Sequence, residues 1–334
     1  MPVWTGQIEQ AMIVAVTAAG EEREGVALSH LDGDLFDGAG VTKRHLVDHL
    51  DALSAQVLPG LTDRPLSVVR VRPGSAPFMQ KNLPTYAPDW IRRTTTWAGA
   101  SKREVSYAVV EDRRGLVWFA NQRAVEFHVP LVRLADPEHV DFLVMDLDPP
   151  EGSDFGRVVA AAHLVRATLG ELGLSGAVKT SGAKGLHVFV PLAGAPVGDA
   201  AAASRALAAR AERVAPDLAT TAYVKDEREG KVFLDSTRSG GATVVAAYSP
   251  RALPGLPVSF PVPWDDLDGI APADFTVRNA ASLLDGRDPW RELLPEPRGL
   301  PARLVAEGHE IPVARVAALH AGKRRRRAAR EGGS

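Results

Sequence analysis

The chain has 334 residues, 45% of them hydrophobic and 24% charged, which is ordinary for a globular protein and enough to bury one large core or two smaller ones. It has no cysteine, which excludes disulfides and cysteine-ligated zinc, and no apolar run approaches the ~20 residues needed to cross a bilayer. The net charge of −2 does not mark a nucleic-acid binder, yet KRRRRAAR (323–330) carries six positive charges, so the remainder stands near about −8 once six is subtracted from −2.

AMIVAVTAAG (11–20) lacks a basic leader, so no signal peptide is expected and the expected setting is cytoplasmic. GVTKRHLVDHLDALSAQVLPGL (40–61) predicts one helix, with Thr42 as N-cap and Pro59-Gly60 as its stop. RPLSVVRVRPG (64–74) alternates like a strand. SYAVVED (106–112) predicts a strand, and RRGLVWFANQRAVEFHVP (113–130) a turn and a helix that ends near His128. VDFLVMDLD (140–148) is mostly apolar, as a central strand would be. Val158, Ala162, Val165, Leu169 and Leu172 then share one face of a helix that Ser153 would cap and Gly173 would end.

Strands GAVKTS (176–181) and LHVFVPL (186–192) flank the turn GAKG. An alanine-rich helix follows at about 199–214, then strands TTAYV (220–224), KVFLD (231–235) and ATVVAAYS (242–249). This loose alternation with hairpin-like neighbours predicts an α/β (mixed α+β) protein with a mixed or antiparallel central sheet flanked by helices. LPEPRGLP (294–301) is expected to be a linker, with a short helix and the basic tail beyond it.

LVMDLDPPEG (143–152) ends an apolar strand in two carboxylates. Residues two apart on a strand face one way, so Asp146 and Asp148 stand side by side while Leu147 turns into the packing. Two such acids repel unless a cation lies between them, and hard oxygen ligands suit magnesium or manganese. Asp235, which ends KVFLD, is a candidate third ligand from another strand. By itself DLDPP also fits a strand that simply ends in solvated acids before a proline turn. VKTSGAKGLHVFVPL (178–192) places Ser181, Lys184 and His187 around a glycine-rich turn whose exposed amides would cradle a triphosphate. It is not a Walker A loop, since no Gly-Lys-Ser/Thr follows at the required spacing.

Together these segments resemble the polymerase domain of bacterial ATP-dependent DNA ligase D, a branch of the archaeo-eukaryotic primase superfamily. DLDPPEG, KTSGAKGLHVFVPL, GKVFLD and AAYSPRALPGLPVSFPVPWDDL occur in the family's order, and the resemblance spans about residues 26 to 292. It implies a primase-polymerase fold, with 1–25 an N-terminal extension and 293–334 a linker, short helix and basic tail. It further implies a nucleotidyltransferase using two Mn²⁺ or Mg²⁺ ions, preferring NTPs over dNTPs, that extends primer ends and fills short gaps in end-joining repair.

By the same resemblance Asp146, Asp148 and Asp235 hold metal, and Ser181, Lys184, His187, Arg251 and Lys81 contact the nucleotide. His128 lies near its sugar, Phe78 handles template DNA, and Lys43 reads the downstream 5′-phosphate. A second lysine of that last pocket falls at Gly33, and an aromatic falls at Met79, so 5′-phosphate recognition and template handling are expected to differ. With no ligase- or nuclease-like segment in the sequence, the expectation is a stand-alone, nucleoid-associated monomer. Its partners would be gapped or broken DNA, nucleotides, a DNA ligase and an end-binding protein, with no membrane. Two other readings use the same residues: a two-metal nuclease or phosphohydrolase, and an inactive DNA-end-binding module.

Overall fold

The structure, a computed structural model, describes residues 20–98 and 102–313. Most of the N-terminal extension and the whole basic run 323–330 lie outside the described residues.

A short hairpin, β1 (Glu22–Arg23) and β2 (Val26–Ala27), precedes helices α1 (Lys43–Ala52) and α2 (Ser54–Leu61). Thr42 does precede the first helix in extended conformation, and its N–H donates to His45 Nδ1 at 3.0 Å. The single helix expected over 40–61 is instead two, broken at Leu53, and Pro59 lies inside the second. The backbone bond that Pro59 cannot make would have gone to Ala55, whose exposed position lets water serve the carbonyl. Strands β3 (Ser67–Arg72), β4 (Ser75–Gln80), β5 (Arg92–Ala98) and β6 (Arg103–Val109) follow, then α3 (Arg113–Asn121) and β7 (Ala124–Val129).

His128 therefore stands on a strand, not at a helix end. Arg123 adopts φ 59°, which terminates the helix, and the apolar run that looked helical continues as β7, buried on both faces. Next come β8 (His139–Asp148), α4 (Phe155–Glu171), β9 (Ala177–Thr180), β10 (Leu186–Pro196) and α5 (Val197–Val214). Asp154, rather than Ser153, caps α4 by accepting from Gly156 N at 3.2 Å. Gly173 ends the helix as expected, at φ +69°, while Leu174 N closes back onto Leu169 O at 3.0 Å.

Of TTAYV only β11 (Ala219–Thr220) touches strand structure; β12 (Val232–Asp235) matches KVFLD, and ATVVAAYS reduces to β13 (Val244–Val245). The chain closes with β14 (Pro261–Val262), α6 (Ala280–Leu284), α7 (Pro289–Leu293) and α8 (Ala302–Glu310). The segment expected as a linker runs beside β10, where Ala193 N donates to Arg298 O at 3.1 Å, and α8 then packs on α5.

Two sheets organise the molecule. The larger has the order β11-β12-β8-β10-β9-β14, antiparallel except for β11 beside β12. The smaller has the order β13-β7-β3-β4. α4 and α5 cover one face of the larger sheet, where Met145 and Leu147 are fully buried, and α3 packs on β7 of the smaller, with α1 and α2 against α3. One contiguous apolar core joins both layers. No helix among the described residues is long and apolar enough to cross a membrane.

Candidate active site

Strand register assembles the site. Across the larger sheet Asp235 pairs with Asp146, Asp146 with His187, and His187 with Lys179, on β12, β8, β10 and β9 in turn. Paired residues on neighbouring strands present their side chains to the same face, so four polar groups form one row. Asp148, two residues beyond Asp146, adds a second acid on that face. Oxygens of Asp146, Asp148 and Asp235 all lie within 4.8 Å of one another.

Asp146 and His187 of this row, with Asp148, floor a cleft of about 860 Å³, with His128, Val244 and Val245 of the smaller sheet on the opposite wall. A smaller cleft of about 560 Å³ between β10 and α8 holds no such carboxylate group.

A positive side chain, Arg238, which sequence reasoning missed, stands beside these acids. It sits in the 3₁₀ turn after β12, with Nη2 2.8 Å from Asp146 Oδ2 and 3.6 Å from Asp235 Oδ2. On the other side of Asp146, His187 Nε2 lies 3.2 Å from Oδ1. Burial alone would raise the Asp146 carboxyl, but His187 and Arg238 outweigh it and hold the group well below the usual range. Asp148 lies farther from compensation: burial and the charges of Asp146 and Asp235 push it up to about 6.

His187 is lowered to about 4 by burial and by Lys179, whose Nζ lies 2.8 Å from His187 Nδ1 and 2.5 Å from Ser259 Oγ. Three hard oxygen ligands, one of which resists giving up its proton, form a site short of positive charge. Divalent cations of the magnesium class suit such a donor set, and no sulfur competes for a softer metal.

The glycine-rich turn lies at the rim. Gly185 is required there because a Cβ would collide with the Leu147 carbonyl, and Gly182, at φ +69°, lies against Arg251 and the Ser259 backbone. Two of the turn's amides are used within the turn rather than left open as expected. Ala183 N and Gly185 N both donate to Ser181 Oγ, at 3.2 and 3.1 Å, because so tight a turn satisfies its own donors. The Ser181 hydroxyl and the exposed Lys184 still line the cleft, as does Arg251, which donates from Nη1 to Ser181 O at 2.5 Å. Lys225 and Arg228, from the loop between β11 and β12, add basic groups to the rim that sequence reasoning did not single out.

Phe78 and Lys81 do not line the cleft. Phe78 lies on β4, the edge of the smaller sheet, under the Arg72 guanidinium at 4.7 Å, and Lys81 is exposed just beyond it. Lys43 lies apart from both, 2% exposed at the start of α1 and bonded to the Ser29 carbonyl. Burial, with the nearby Arg123 charge, lowers its ammonium to about 8. Arg123 Nη2 is the nearest atom to a Cβ built at Gly33, at 3.2 Å, so a second cation stands beside the position where the resemblance leads one to expect a lysine.

A family model for the LigD primase-polymerase domain matches residues 42–290. A multifunctional non-homologous end joining protein LigD of Mycolicibacterium smegmatis is 34% identical over 285 residues, covering 82% of this chain and 36% of that protein. A bifunctional non-homologous end joining protein LigD of Bacillus subtilis is 31% identical over 253 residues, covering 74% and 40% respectively. The chain thus spans little more than a third of the length of the curated relatives it matches. The polymerase domain of Mycobacterium tuberculosis ligase D, solved in complex with DNA, superposes with a TM-score of 0.73 at 30% identity, covering 87% of this chain and all of that one.

Proposed function

The chain belongs to the LigD primase-polymerase domain family, and from that premise we propose that it is a template-directed nucleotidyltransferase of end-joining repair. It would add nucleotides, NTPs in preference to dNTPs, to primer 3′ ends and across short gaps in DNA. One observation carries the reading: three carboxylates from two neighbouring strands converge, and Asp146 and Asp148 of them line one cleft with Ser181, His187 and Arg251.

Two Mn²⁺ or Mg²⁺ ions fit Asp146, Asp148 and Asp235, where they would acidify an attacking hydroxyl and offset phosphoryl charge. Arg238 and His187 fix the plane of the Asp146 carboxylate from either side. Arg251 and Lys184 neutralise triphosphate charge, and the Ser181 hydroxyl donates to it. His128 meets the nucleotide from the opposite wall. Lys81 and Phe78, along the edge of the smaller sheet, handle nucleotide and template strand. Lys43 together with Arg123 takes the downstream 5′-phosphate.

The catalytic domain runs over 26–292, with the following segment and α8 docked against it. The setting is a cytoplasmic, nucleoid-associated monomer that works beside a DNA ligase and an end-binding protein. A hydrolase built on the same acids would have no use for the Arg251 and Ser181 arrangement, and an inactive end-binder would have no use for an intact triad.

Primer extension on gapped duplexes, comparing NTPs with dNTPs and Mn²⁺ with Mg²⁺, tests this function. Extension is expected with both metals, and loss of extension but not of DNA binding in Asp146→Ala. Extension at the wild-type rate by that variant, or release of nucleotides without primer growth, would overturn the reading.

A further inference from the structure

Glu126, on β7, is 7% exposed and has no part in the roles above. Its two oxygens serve different parts of the cleft. Oε2 lies 2.7 Å from Nε2 of His128, two residues along the same strand and on the same face. Oε1 accepts from Ala252 N at 2.8 Å and lies 3.1 Å from Arg251 Nε, close enough for an ion pair although Nε is not aligned as a hydrogen-bond donor. Burial would raise this carboxyl, but the bond from His128 and the Arg251 charge outweigh it and hold the group at about 2, so it is ionised at any working pH.

The chain reaches Arg251 by a return path that is itself tied to β7. Val245 pairs with His128, and Phe127 N donates to Ser249 Oγ at 2.9 Å. Glu126 completes that tie with charge. Arg251 is then held from two sides, by Glu126 at Nε and by the Ser181 carbonyl at Nη1, while Nη2 has no partner among the described residues. A guanidinium fixed in this way, lining the cleft, keeps one donor nitrogen free for an anion without losing further rotamer freedom when it arrives.

We propose that Glu126 is a positioning residue for nucleotide binding: it locks Arg251 and His128 into fixed relation across the cleft, joining the smaller sheet to the phosphate-facing turn of the larger. The inference rests on the reading of the cleft as a nucleotide site.

The test is ATP affinity by calorimetry, in Mg²⁺ and in EDTA, together with KM and kcat for primer extension. It compares wild type with Glu126→Gln, Glu126→Ala and Glu126→Asp. Removing a charged partner from Arg251 is expected to weaken ATP binding and raise KM about tenfold or more in Glu126→Ala, with a smaller fall in kcat. Glu126→Gln, which keeps the shape and an acceptor for Ala252 N, should fall between it and wild type, and Glu126→Asp should recover part of the loss.

Glu126→Ala combined with Arg251→Ala should bind ATP no more weakly than Arg251→Ala alone, because the two act as a unit. If Glu126→Ala fails to fold, Glu126→Gln carries the comparison. Unchanged ATP affinity and KM in Glu126→Gln, or a double variant whose loss is the product of the single losses, would overturn the inference. A wild-type protein that binds no ATP would instead remove the nucleotide-site reading on which it stands.

Discussion

Replacing Asp148 by asparagine should stabilise the metal-free protein while destroying its response to metal. Asp148 lies half-buried beside two other carboxylates, and its folded-state value of about 6 stands above an ordinary 3.8. At ~1.4 kcal/mol per tenfold change, keeping this group ionised costs about 3 kcal/mol at neutral pH. The sign follows from the direction of the rise: stability gained by taking up the proton is fully present below 3.8 and is lost as pH rises through about 6. Asparagine has the same shape and no charge, so Asp148→Asn should gain roughly 2–3 kcal/mol in EDTA near neutral pH and nothing below 3.8.

Urea denaturation followed by circular dichroism, in EDTA and in excess MnCl₂, measures both states. In Mn²⁺ the order should invert, because wild type gains binding energy that the variant cannot. Mn²⁺ affinity of the wild type should itself fall as pH drops below about 6, where the proton competes for the same oxygen. A variant less stable than wild type in EDTA at neutral pH, or an equal Mn²⁺ stabilisation in both proteins, would refute the argument from like-charge repulsion.

Arg238→Gln should act in the opposite sense. It leaves Asp146 and Asp235 without their counter-charge and should cost about 3 kcal/mol in EDTA, much of it recovered on adding Mn²⁺; a loss of the same size in both conditions would contradict this role. At the second basic site, Arg123→Met should reduce the preference for gapped duplexes bearing a 5′-phosphate by several-fold, as Lys43→Met should, when competition binding compares phosphorylated and unphosphorylated gaps. Retention of the preference by Arg123→Met would show that this arginine does not stand in for a lysine at position 33.

The acids on β8 were legible because the information is local: spacing of two on an apolar strand fixes their common face. Their relation to Asp235 and His187 was not, since it depends on which strands become neighbours, and that is decided by how α4 and α5 bury one side of the sheet. Motif resemblance supplied what spacing could not. Arg238 was overlooked because a lone arginine in a polar turn looks like solvated surface; its position three residues after a strand-ending acid was the available signal. Glu126 in VEFHVP carried no such signal, since a lone acid in a strand looks like a solvated face.

The misplacement of His128 has a plain cause. LVWFA and AVEFHV are both nearly all apolar, so neither period stands out, and the break between them rests on the left-handed backbone of Arg123. Pro59 misled in the other direction, as an exposed helix edge can do without one backbone bond.

The row of side chains from Asp235 to Lys179 makes the centre a matter of phase. Deleting or inserting one residue within 143–148 or 186–189 would turn every following side chain of that strand to the opposite face, so acids would enter the helix-covered interior and leucines the cleft. Length changes in the connection between β11 and β12 impose no such inversion, because β12 can re-seat against β8 before Asp235 arrives. Lineages of this fold should therefore diverge in their connecting loops while strand lengths at the centre stay constant, and a designer seeking new substrates has freedom in those loops alone.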